Sequence, residues 1–167
     1  MKGEYIEKGM SEIVEGMKKE LVSKASALGA GQKTADKAYK MCIGILEQAE
    51  KMVSMNFSDV PFDEKYYSVR ESRVFDNPAA SYFDEYREWY ENETDTGAKE
   101  GFLVYAHAVQ MVRSAFYDKK AAELERAEQH GNAERVFECR MIVGTLQALL
   151  DKWAMLWASE TENGNGR

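Results

Sequence analysis

Asp84, Glu85, Glu88, Trp89, Tyr90, Glu91, Glu93 and Asp95 crowd carboxylates and large rings into one short stretch of the chain. The chemistry open to such a set is recognition rather than bond making. Ionised carboxylates attract and orient a cationic partner, and indole or phenol rings supply contact area at little conformational cost. The wider window 59–101 holds 5 basic and 12 acidic residues, which alone accounts for the net charge of −7, and 9 of the 19 aromatic residues. At about 100° per residue, the rings of Tyr82, Phe83, Tyr86, Trp89 and Tyr90 gather on one side of a helix, with Asp84, Glu85, Glu88 and Glu91 opposite. Core packing explains a ring face, and solvation explains an acidic one. Five rings nevertheless exceed what so short a helix needs for docking, so some are expected to stay exposed. Glu93, Asp95 and Glu100 carry the charge beyond the helix.

Other residues with chemical capacity lack the company that chemistry needs. His107 and His130 are the only histidines, and Val104 and Ala127 stand where a di-iron bundle requires Glu three residues earlier. His107 therefore reads as a partly buried structural residue, and His130, beside Gly131, as a turn residue. Cys42 and Cys139 form no paired motif and read as small buried hydrophobes. The run Gly29 to Thr34 resembles a phosphate loop only superficially, because Gln32 separates the last glycine from Lys33, Ser26 stands where the first glycine belongs, and a helix precedes it. No Gly-x-Ser-x-Gly turn is present. The pairs Glu134/Glu138 and Glu123/Glu128 have basic neighbours and read as surface ion-pair ladders. No catalytic residue, metal site or cofactor is expected.

The elements that must position these residues are helical. Ile6, Met10, Ile13, Met17, Leu21 and Leu28 trace one amphipathic face, and Gly29-Ala30-Gly31 is expected to stop that helix through a left-handed glycine. Thr34 can cap a second helix, whose seam is Ala35, Ala38, Cys42, Ile45, Ala49 and Met52. Phe102, Tyr105, Val109, Val112 and Phe116 step 3-4-3-4 along a third, and His130-Gly131-Asn132 turns into a last helix marked by Cys139, Ile142, Leu146, Leu149, Trp153 and Leu156. Residues 66–75 alternate in side-chain character after Pro61, a pattern open to an extended strand or a short irregular helix, of which an ordered loop or small β element is the favoured reading because a lone strand has no partner within the chain. Asn77-Pro78 introduces a short helix over 79–92. The nine methionines read as core filling.

The expectation is an all-α single domain over 1–159, a bundle of four to five helices built from two antiparallel pairs. The first pair spans 4–55 and the long hairpin 98–159, with the acidic, aromatic insertion 56–97 between them and a flexible tail over 160–167. No apolar run approaches the roughly 18 to 20 residues that cross a bilayer, and the start MKGEYIEKGM lacks the form of a signal peptide, so a cytoplasmic protein without a membrane is expected. A pI near 5.0 argues against direct binding of nucleic acid and suits a basic protein partner. The first functional reading is a non-enzymatic inhibitor that docks on a basic, nucleic-acid-binding cleft such as that of a nuclease. Acidic anti-CRISPR inhibitors from phages and mobile elements work by this logic, an analogy of composition alone. Its contact residues are Asp84, Glu85, Glu88, Trp89, Tyr90, Glu91, Glu93 and Asp95. Two alternatives stand beside it. One is a small-molecule- or nucleotide-binding bundle in which Tyr82, Tyr86, Trp89 and Tyr90 line a pocket and Arg70 or Arg73 holds an anion. The other is a self-associating protein with Trp153 and Trp157 in a homodimer seam.

Overall fold

The computed structural model describes residues 2–55, 64–78 and 81–165, with the side chains of 54–55, 64–66 and 161–165 left aside. Helices account for all regular structure among them: α1 (Lys2–Ser26), α2 (Lys33–Met55), α3 (Glu64–Phe75), a 3-10 turn (Asp84–Tyr86) leading into α4 (Arg87–Asn92), α5 (Thr96–Val112), a π segment (Arg113–Tyr117), α6 (Asp118–His130) and α7 (Ala133–Asn165). The architecture is an all-α bundle, as the periodicity requires. α1, α2, α5 and α7 pack against one another, α3 lies on α5, and α6 folds back on α7.

α5 is the axis of the fold. Every residue from Glu100 to Gln110 is buried, so this helix is covered on all sides. The apolar run Phe102-Leu103-Val104-Tyr105-Ala106 meets neighbours in each direction, whereas α1 buries only the stripe Gly3, Ile6, Met10, Val14 and Met17. Gly101 allows the close approach of α1: a β-carbon there would meet Ile6 at 3.3 Å and Trp157 at 3.4 Å. Trp153 is fully buried and donates its indole N–H to the Met10 carbonyl at 3.1 Å, tying α7 to α1. It belongs to the chain's own core and is not available to a dimer seam. Cys42 and Cys139 are buried free thiols.

Local signals set the helix ends. Gly131, at φ +68, closes α6 in the left-handed conformation, and the Asn132 side chain accepts the Arg135 N–H at 3.1 Å to start α7. Gly29 does not behave as expected, since Gly131 is the one positive-φ residue among those described. Instead α1 tightens through the Leu28 N–H to Ala25, and the Gly29 N–H donates to the Gln32 side chain at 3.0 Å. α7 continues to Asn165, through most of the segment expected to be a flexible tail.

For 66–75 the helical alternative holds and the favoured loop or β element does not, since the stretch lies in α3. The reason is Arg70. The inward stripe is Tyr67, Arg70 and Val74, stepping 3-4, and a charged residue in its middle conceals the helical period. The expected helix over 79–92 is shorter, a 3-10 turn and six residues of α4, and its start at 79–80 lies outside the described residues, as does 56–63 with Pro61. The carboxylate Glu138 is also no surface rung. It is 3% exposed and holds Lys37 of α2 at 3.0 Å and Arg135 at 3.3 Å, while Glu123–Arg135 and Glu128–Arg140 join α6 to α7.

Candidate functional site

The acidic turn and α4 are short elements, and rings rather than length hold them in place. Phe75, Phe83, Tyr86, Trp89, Tyr90 and Trp157 surround Phe102 with ring centroids 5.3 to 5.9 Å away. Tilted and edge-on pairs of this kind add to the burial of apolar area. Tyr90 is 2% exposed, donates its hydroxyl to Glu71 at 2.7 Å, and carries the Lys99 ammonium 4.5 Å above its ring. Tyr82 donates its hydroxyl to Asp118, with the Arg113 guanidinium over its face. Tyr90 and Phe83 are thus sealed in the core, and the outward ring surface is that of Tyr86, 40% exposed, and of half-buried Tyr82 and Trp89.

The carboxylates divide into two groups. Glu93 and Asp95 serve the backbone: Glu93 accepts the N–H groups of Thr94 and Asp95 at 3.1 and 3.0 Å, and Asp95 caps α5 by accepting from Gly97 at 2.9 Å and Ala98 at 3.4 Å. Asp84, Glu85, Glu88 and Glu91 are exposed and, among the described residues, no Lys or Arg lies within 4 Å of them. Arg87, the cation within this element, points away to the Phe75 carbonyl at 2.9 Å and Asp76 at 3.0 Å, with its guanidinium over the Phe75 ring. Glu85, Glu88 and Glu93 meet the edge of Trp89 and Asn92 in a surface depression. An indole beside three carboxylates, with no cation lining the depression among the described residues, is the chemical complement of a guanidinium or ammonium group.

A second feature lies where α2, α3 and α5 meet. A cleft of about 780 Å³ is lined by Gln48, Lys51 and Met52 of α2 and by Ser72 and Arg73 of α3. Its α5 side is His107, Gln110 and Met111, continued by Ser114 of the π segment. The Gln110 amide donates to the Val74 carbonyl at 2.7 Å, and the Ser114 hydroxyl donates to the Gln110 carbonyl at 2.8 Å. Burial pushes the His107 imidazole down to about 4, and the positive charges of Arg70 and Arg73 act in the same direction, so the ring is neutral at pH 7. Nearby, Tyr67 donates to Glu100 at 2.9 Å, and burial together with that hydrogen bond pushes its phenol up to about 12.

Arg73 does reach a cleft, but Tyr82, Tyr86, Trp89 and Tyr90 are not among its lining residues. The sequence signal for the true lining was present as steps of three and four. Gln48-Lys51-Met52 and His107-Gln110-Met111-Ser114 each share a helix face, and the second interrupts an apolar helix with polar groups. Among the described residues no group of three or more His, Cys, Asp or Glu side chains converges as metal ligands do, and no helix is long and apolar enough to cross a membrane. No protein-family model, curated protein or solved structure matches this chain.

Proposed function

We propose that this protein is a non-enzymatic acidic inhibitor. It docks the face formed by Asp84–Tyr86 and α4 onto a basic, nucleic-acid-binding cleft of a larger protein, in the manner of an anti-CRISPR-like nucleic-acid mimic. The observation that carries the reading is the depression in which Glu85, Glu88 and Glu93 surround the edge of Trp89 with no cation in its lining among the described residues, flanked by Asp84 and Glu91, whose nearest basic group, Arg87, is engaged by Asp76. The carboxylates stand in for phosphates, and Trp89 and Tyr86 for stacked bases, on a face kept rigid by the rings beneath it. Rigidity matters, because a surface already arranged loses little entropy on binding. The role of Tyr90 and Asp95 in this reading is support, through Glu71 and the α5 cap, rather than contact.

The test is capture from the native host with the full chain and with the double reversal Glu85→Lys and Glu88→Lys. The expected result is a basic partner that binds nucleic acid, is displaced by it, and binds the reversed protein about 100-fold more weakly, roughly 2.7 kcal/mol. Equal binding by a variant with an unchanged melting temperature, or a partner indifferent to competing nucleic acid, overturns the reading.

A further inference from the structure

We propose that the cleft between α2, α3 and α5 binds a small organic anion with a flat, apolar ring body, the chemistry shared by nucleoside monophosphates and aromatic carboxylates. It is separate from the acidic face and does not rest on it. The volume of about 780 Å³ is that of a cofactor or metabolite site rather than of a single inorganic ion. In a chain with 29 acidic and 22 basic residues, the described lining contains no carboxylate and two cations, Lys51 from α2 and Arg73 from α3. Arg87, Arg135 and Arg140 each hold a carboxylate, whereas Arg73 makes no ion pair among the described residues. Its guanidinium is placed to bind a phosphate or carboxylate in a forked geometry.

The rest of the lining suits the remainder of such a ligand. His107 and Gln110 lie with 7% and 2% of their surface exposed, so the α5 wall is a fixed polar surface, and the Gln110 amide is held by Val74. The imidazole, being neutral, orients by hydrogen bonding and adds no charge. Met52 and Met111 bring polarizable thioethers, which pack well against the edges of flat rings. Ser114 belongs to the π segment, and single-turn π distortions inside helices recur at binding sites, where they re-aim side chains at a backbone cost.

Titration of the isotopically labelled full chain, followed by amide shifts and calorimetry at low salt, tests the site. The probes are adenosine 5′-monophosphate and indole-3-acetate, with adenosine and inorganic phosphate as partial counterparts. One or both organic anions are expected to shift amides of α2, the end of α3 and residues 107–114, and which of them binds more tightly tells a phosphate site from a carboxylate site. Adenosine and phosphate should bind at least tenfold more weakly than the nucleotide, if the nucleotide is the ligand. Arg73→Gln and Lys51→Gln, both at exposed positions, should each weaken the bound anion about tenfold with an unchanged melting temperature. The double reversal of Glu85 and Glu88 should bind it as the parent does, which separates this site from the docking face. Shifts that map elsewhere, no binding of either anion at millimolar concentration, or full affinity in both cleft variants overturns the proposal.

Discussion

His107 sits inside α5 with Arg70 and Arg73 close enough to repel its protonated form, and Arg70 is itself fully buried. A proton on this imidazole is therefore taken up far more readily by the unfolded chain, whose histidine titrates near the ordinary value of 6.5, than by the folded one at about 4. The sign follows directly. Stability from the neutral ring is complete above about pH 6.5 and is lost as the pH falls toward about 4, by up to ~3 kcal/mol. Urea unfolding of the parent and of His107→Gln between pH 7 and pH 4.5 should show a stability loss in the parent that is smaller in the variant; equal slopes would refute the assignment. Glu138 titrates in a different window, because the hydrogen bond from Lys37 holds its carboxyl below the ordinary 4.5. Its contribution is lost only at more acid pH, so the two residues can be told apart.

The 3-10 turn and α4 are too short to be stable alone, since an isolated helix below about 12 residues is marginal in water. Their order comes from Phe102 of α5, ringed by aromatic side chains from α3, the turn, α4 and α7. Phe102→Ala should cost about 4 kcal/mol and leave a cavity where the acidic face is anchored. The expected signature is a large loss of near-ultraviolet circular dichroism with most far-ultraviolet helix signal retained, measured beside a lowered denaturation midpoint. A variant with parental near-ultraviolet spectrum would mean that the face is held some other way. The same logic explains why the ring side of this element faces inward: the rings fasten a short helix to the bundle, leaving Tyr86 exposed and Tyr82 and Trp89 half-buried.

For the whole molecule, the charge of −7 and its concentration in one window would make association with the basic partner proposed above a steered encounter. Its association rate constant should fall at least tenfold between roughly 50 and 500 mM salt, as screening shortens to a few ångströms, while dissociation changes much less. Stopped-flow or surface-bound kinetics at two salt concentrations measure this, and a salt-independent association rate would contradict it. The helical class, the seam of α7, part of the seams of α1 and α2, the Gly131 turn with its Asn132 cap and the acidic window were legible in the chain, because periodicity, capping and charge are properties of residues within a turn or two of one another; Val14, Leu46 and Val53, fully buried, lay outside the seams the spacing marked. What lay beyond such local reading was decided by neighbours distant in sequence. α5 became a central helix because α1, α2, α3 and α7 cover it together, α3 hid its period by turning Arg70 inward, and Tyr90 and Phe83 were buried by Phe102. The cleft, too, exists only where three helices meet, each supplying a few side chains whose common purpose no single segment reveals.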